Sequence, residues 1–99
     1  AKTIREFGGI TIDETGRRVL LGQEKLDLSP KEFELLVYLA LNKDVAVSRE
    51  QILNAVWGYD YFGDLRTVDT HIKKLRAKLG PKGQLIQTVR GYGYRFEVQ

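Results

Sequence analysis

The side chains best suited to chemistry in this sequence are cations. Arg66, Lys73, Lys74, Arg76 and Lys78 crowd into the fourteen residues from Arg66 to Leu79, with a single acid, Asp69, among them. Guanidinium and ammonium groups donate hydrogen bonds and accept none, so a row of them suits a polyanion, phosphates above all. The residues between them set how the row is presented. Val68, Ile72, Leu75 and Leu79 fall at offsets of 0, 4, 7 and 11. At about 100° per residue these lie within roughly 60° of one another, one narrow helical stripe. Opposite the stripe lie Arg66, Thr70, Lys73, Lys74 and Ala77, flanked by Thr67, Arg76 and Lys78. A face built only to be solvated would mix Glu with Lys at i,i+4 spacing, and this one does not. At about 1.5 Å per residue the helix would run on the order of 20 Å, and a helix fits the roughly 12 Å major groove of DNA. The expectation is a nucleic-acid recognition helix over 66–79.

Other chemistries find few candidates. With no Cys and one His, His71, neither a disulfide, a cysteine zinc site nor a His-based metal cluster can be assembled. Ser29 and Ser48 read as helix caps, not nucleophiles, because the pattern supplies no base beside them. Gly91-Tyr92-Gly93 is a turn, since no helix follows to make it a nucleotide loop. No convergent acid pair is present, so the chain is expected to be neither an enzyme nor a cofactor binder. His71 lies about 60° from the apolar stripe, where a half-buried structural role and a nucleic-acid contact stand level.

Charge sharpens the first reading. Residues 1–65 hold eight Lys/Arg against eleven Asp/Glu, a net of −3, and residues 66–99 hold eight against two, a net of +6. The whole-chain value of +3 therefore hides a basic C-terminal third, where a polyanion would bind. No apolar run approaches 18 residues, so a soluble, cytoplasmic protein without a membrane partner is expected. The lack of any Met suggests one domain of a longer protein.

The rest of the sequence supplies the elements that must hold this helix. Residues 3–28 read as a four-stranded antiparallel meander with apolar segments at Ile4 to Phe7, Ile10 to Ile12, Val19 to Leu21 and Leu26 to Leu28. Ser29-Pro30-Lys31-Glu32 is a capping box with Pro at the first helical position, opening a first helix over 30–42 that is apolar on most sides. Val45-Ala46-Val47 reads as an extended link. Ser48-Arg49-Glu50-Gln51 repeats the box and opens a second helix over 49–57, burying Ile52, Leu53, Val56 and Trp57, with the indole N–H reaching outward. The loop 58–65 carries Tyr59, Tyr61 and Phe62 among Asp60 and Asp64. At least two of these aromatics should pack back on the domain, and an exposed one would imply a protein partner. Gly80-Pro81-Lys82-Gly83 stops the third helix, and 85–98 reads as a hairpin with Arg90 near its tip.

Taken together these blocks resemble the OmpR/PhoB family of winged-helix output domains from bacterial two-component response regulators. The resemblance spans the chain. It rests on Leu28-Ser29-Pro30-Lys31-Glu32-Phe33-Glu34-Leu35-Leu36, on Arg49-Glu50-Gln51-Ile52-Leu53 with Val56-Trp57-Gly58, and on Arg66-Thr67-Val68-Asp69 with His71-Ile72. Leu75-Arg76 with Lys78-Leu79, and Thr88-Val89-Arg90-Gly91-Tyr92-Gly93-Tyr94-Arg95-Phe96, complete it. It implies an α+β winged helix-turn-helix: an N-terminal four-stranded antiparallel sheet, three helices and a C-terminal β-hairpin wing. It also implies a transcription factor, preceded by a receiver domain that an upstream sensor kinase phosphorylates on Asp. Members bind direct-repeat half-sites of double-stranded DNA as head-to-tail dimers, with the third helix in the major groove and the wing over the minor groove. They touch RNA polymerase through the loop before that helix, here Tyr59, Asp60, Tyr61, Phe62 and Asp64.

By position, the resemblance places Thr70 and Lys74 at base-facing sites with His71 and Lys73 beside them. It makes Arg66, Thr67 and Arg76 phosphate or near-backbone groups, Arg49 and Trp57 a backbone clamp, and Thr88 and Arg90 wing contacts, with Arg90 in the minor groove. Many members carry arginines where this chain has Lys73-Lys74. Lysine lacks the planar fork that reads guanine, so these lysines either read a base or hold phosphate. The alternative is a winged helix that docks RNA or protein. A stacking platform would mark single-stranded RNA, but the tyrosines cluster in a loop and a turn.

Overall fold

Strands β1 (Ile4–Phe7), β2 (Ile10–Asp13), β3 (Arg18–Leu21) and β4 (Glu24–Leu26) form an antiparallel meander in the order β1-β2-β3-β4. Residues 4–58, 61 and 63–98 are described, in a computed structural model of the chain. Alternation works as the sequence suggests, with Ile10, Ile12 and Val19 on the buried face. The fourth strand differs from the expectation of Leu26 to Leu28. The two-residue turn at Gly22-Gln23 pairs Leu21 with Glu24, so pairing is spent by Leu26. Asp27 and Leu28 then leave the sheet to bring Ser29 to the helix start.

Helix α1 (Pro30–Leu41) begins on the complete box. Ser29 Oγ accepts the Glu32 N–H at 3.3 Å and Glu32 Oε1 accepts the Ser29 N–H at 2.9 Å. The helix ends one residue before the expected Asn42, whose N–H and side-chain amide satisfy the last carbonyls. Phe33, Leu35, Leu36, Leu39 and Ala40 are buried, but Leu41 is half exposed. The helix therefore buries one broad face, not most of its girth.

Helix α2 (Arg49–Val56) has the second box at Ser48, and Trp57 is its C-terminal cap instead of its last turn. It buries Ile52, Leu53 and Val56 against α1. Helix α3 (Arg66–Leu79) buries the whole stripe, with Val68, Ile72, Leu75 and Leu79 each at most 1% exposed. Burial of this kind contributes roughly 1.5–3 kcal/mol per side chain, so α3 is held by its back and its front is free for other work. As expected, α3 stops at Gly80, with φ 58°, and a 3-10 segment over Gly80–Leu85 leads on to the wing.

The expected hairpin is one part of a larger sheet. Strand β5 (Val47–Ser48), read from sequence as a link, pairs with β7 (Gly93–Phe96), which in turn pairs with β6 (Ile86–Val89), giving the order β5-β7-β6. Strand β6 starts at Ile86 and β7 stops at Phe96, inside the expected 85–98. Ser48 thus serves twice, as strand partner of Gly93 and as cap of α2. The approach is so close that a Cβ at Gly93 would lie 2.0 Å from the Val47 carbonyl oxygen. Only glycine fits there.

Candidate nucleic-acid interface

The outer face of α3 is as the wheel drew it. Arg66, Thr70, Lys73, Lys74 and Ala77 are all exposed. Neither Lys73 nor Lys74 has an ion-pair partner among the described residues. Thr70 Oγ1 donates to the Arg66 carbonyl at 3.0 Å, which commits its hydroxyl proton. At the start of the helix, Asp64 Oδ1 accepts the Arg66 N–H at 2.9 Å and Oδ2 lies 2.8 Å from Arg66 Nη2. Those bonds hold the Asp64 carboxyl below its ordinary value. Asp64, assigned from sequence to the partner loop, thus also binds the first N–H of α3. Thr67, beside Arg66, is half-buried, and its carbonyl is bound by His71.

Arg76 sits differently from a free phosphate ligand. Its Nε and Nη2 donate to the Ile86 carbonyl at 3.1 and 2.8 Å, and Nη2 donates to Thr88 Oγ1 at 2.8 Å. The guanidinium lies 5.5 Å from the centroid of the Tyr94 ring. Arg76 therefore joins α3 to β6, and Thr88 is engaged by protein before any ligand arrives.

Asp69 makes a second joint. It takes a hydrogen bond from Arg49 Nε on α2 at 2.9 Å and another from the Tyr94 hydroxyl on β7. Burial works to raise the Asp69 carboxyl, but the bonds from Tyr94 and Arg49 outweigh it and keep the pKa below its ordinary value. Burial, with the bond to Asp69, pushes the Tyr94 phenol up to about 12. The Arg49 guanidinium, held by Asp69, is raised and stays charged.

The aromatic side of the site is a packed corner. Trp57 is half-buried, edge-on to His71 at 4.9 Å between ring centroids and tilted against Tyr61 at 6.3 Å. Lys31 Nζ donates to the Val56 carbonyl at 2.8 Å and lies 6.0 Å from the Trp57 ring. His71 Nδ1 lies 2.9 Å from the Thr67 carbonyl. A carbonyl can only accept, so Nδ1 carries the proton. Tyr61 packs on Trp57 yet remains partly exposed. Tyr59, Asp60 and Phe62, expected in the partner loop, lie outside the described residues.

At the wing tip, the Tyr92 N–H closes the turn onto the Val89 carbonyl at 2.9 Å, with Gly91 at φ 74°. Arg90 is exposed and free of ion pairs among the described residues. The Arg49 N–H reaches the Tyr92 carbonyl at 3.4 Å, tying the tip to the start of α2. Sequence reasoning missed Asp69, Tyr94 and Lys31. The one signal was Asp69 itself, a lone acid on a helix of cations. Among the described residues no group of His, Cys, Asp or Glu could hold a metal, and no helix is long and apolar enough to cross a membrane.

Comparison with known proteins agrees with this geometry. Residues 22–96 match the family model described as transcriptional regulatory protein, C terminal. The chain is 48% identical over 103 residues to the transcriptional regulatory protein SrrA of Staphylococcus aureus, covering all of this chain and 43% of SrrA. It therefore spans less than half the length of that relative. Among solved structures, it is similar to the Thermotoga maritima response regulator DrrB, an OmpR/PhoB homolog, with a TM-score of 0.86 and 36% identity over 95% of this chain and 44% of DrrB. It is also similar to the Klebsiella pneumoniae RstA DNA-binding domain in complex with the RstA box, with a TM-score of 0.83 and 36% identity over 96% of this chain and 97% of that one.

Proposed function

Because the chain belongs to the OmpR/PhoB family of transcriptional regulators, as a C-terminal domain of that family, we propose that it binds double-stranded DNA in a sequence-specific way to regulate transcription. Helix α3 enters the major groove, where Thr70 and Lys74 face base edges and His71 and Lys73 stand beside them. Arg49, Trp57, Arg66, Thr67, Arg76 and Thr88 line the sugar–phosphate rails, which fix register without reading sequence. Arg90 enters the adjacent minor groove, where a narrow A·T-rich stretch concentrates negative potential.

One observation carries this reading. The outer face of α3 presents Lys73 and Lys74, without ion-pair partners among the described residues, while its back is fully buried. The RstA domain, solved with its own DNA box, lends support. In the full-length protein the domain is the output of a receiver phosphorylated by a sensor kinase. It pairs head-to-tail on direct repeats and meets RNA polymerase through the loop 58–65.

Selection from random-sequence duplexes, followed by amide perturbation mapping with the recovered site, tests the proposal. Enrichment of a defined motif with shifts over 66–78 and 88–92 is the expected result. Unmoved amides over 66–78 with every duplex, or no motif, would overturn it.

A further inference from the structure

Asp69, Tyr94, Arg49 and Arg76 form a junction where α2, α3 and the wing sheet meet. Tyr94 is its centre. Its residue is 5% exposed, and its strand, β7, is the middle one of the sheet. The hydroxyl donates to Asp69 on α3, and the ring lies 5.5 Å from Arg76 of the same helix and 6.0 Å from Arg49 of α2. Arg76 continues the connection to β6 through Ile86 and Thr88. Every joint from the recognition helix to the wing named here is polar or cationic, and the one from Asp69 to Tyr94 spans 25 residues of sequence.

A wing hung only from its own turn would be free to tilt, and two groove contacts would then have to be found separately. Fixing one relative to the other before binding removes that ordering cost. From this geometry we infer that Asp69 and Tyr94 are positioning residues that set the angle between recognition helix and wing, and with it the distance from the base-facing side chains to Arg90. The inference rests on the DNA-binding reading above and deepens it. Neither residue has to touch the nucleic acid. Asp69 also aims Arg49, whose guanidinium it holds at 2.9 Å.

The test uses the selected duplex in two forms, with A·T or with G·C pairs in the flanking minor groove. Wild type should favour the A·T form on the order of fivefold through Arg90, and Arg90→Ala should abolish the preference. Tyr94→Phe keeps the ring under Arg76 and removes only the hydroxyl. It should reduce the preference to about twofold or less, and the double variant should lose no more than Arg90→Ala alone, a non-additive cycle. In the free protein, 15N relaxation of amides 87–93 should show added motion in Tyr94→Phe while α3 stays unchanged. If Tyr94→Phe weakens both duplexes equally, keeps the preference and leaves the wing amides quiet, the pair is merely structural and the inference fails. Asp69→Asn repeats the cycle should Tyr94→Phe not fold, with the same two outcomes. Wild-type protein that binds no duplex would instead overturn the DNA-binding reading itself, a distinguishable result.

Discussion

Lys78 Nζ lies 2.6 Å from Glu32 Oε1, joining the last turn of α3 to the first turn of α1 across 46 residues of sequence. Lys78 thereby leaves the cationic face that its helix presents. Glu32 is 3% exposed, and it serves Lys78 and the Ser29 cap at once.

Burial alone would raise the Glu32 carboxyl, but the bonds from Lys78 and Ser29 outweigh it and hold the pKa below its ordinary 4.5. A carboxyl depressed in the folded state binds protons more readily when unfolded. Its stabilisation is therefore complete above the unfolded value and drains as pH falls through the folded one. Asp64 and Asp69 are depressed in the same sense. Urea midpoints should fall between about pH 5 and pH 3, and Glu32→Gln should flatten that fall. Because Lys78 is partly exposed, the variant should cost only about 1 kcal/mol at pH 7. Parallel pH profiles for variant and wild type would count against this assignment.

On the base-facing assignment, Thr70 would offer a base chiefly its methyl group, because its hydroxyl proton is committed to the Arg66 carbonyl. Apolar contact with a thymine methyl suits that presentation. Thr70→Val should keep the selected motif within about twofold, whereas Thr70→Ser should relax one position by roughly tenfold. Competition titrations against single-base variants of the site measure both. A valine variant that loses the motif would mean the hydroxyl does the reading.

Lys73 and Lys74 are neighbours that should behave differently. On the base-facing assignment, Lys74→Ala changes which sequence is preferred. Lys73→Ala, if Lys73 holds phosphate, should weaken all duplexes alike and reduce the slope of log K against log salt by about 0.9. Binding isotherms at several salt concentrations separate the two, and an unchanged slope for Lys73→Ala would move it to the bases.

Gly93 and Gly91 stand two residues apart under different constraints. A Cβ at Gly93 meets the Val47 carbonyl oxygen at 2.0 Å, while one at Gly91 meets nothing within 4 Å but must sit at φ 74°. Gly93→Ala should therefore separate β5 from β7 and cost about 3 kcal/mol or more. Gly91→Ala pays only backbone strain, on the order of 1 kcal/mol. Thermal unfolding of both variants checks the order, and equal losses would contradict the close approach of β5.

What the sequence revealed was what local pattern can encode. The stripe Val68, Ile72, Leu75 and Leu79 follows helical period, and both serine caps have their partner three residues on. Strand β5 could not be read, because two residues carry no period and their partners, Gly93 and Tyr94, come after two further helices. Leu41 shares the apolar character of its helix, and only the packed fold shows that it faces water. The same divide runs through the site. Exposed cations on α3 were legible, but Arg76 pairing with β6 and Asp69 pairing with Tyr94 depend on elements brought together by the fold.

The two-residue strand β5 ties the wing to the start of the second helix. Ser48 belongs to both, and the Arg49 N–H reaches the Tyr92 carbonyl. A protein clamp that does not flex leaves the duplex to comply, by bending or by compressing a groove. That compliance depends on base steps the side chains never reach. On the function proposed above, some of the discrimination would thus be stored in DNA mechanics, at positions lying between the helix and the wing.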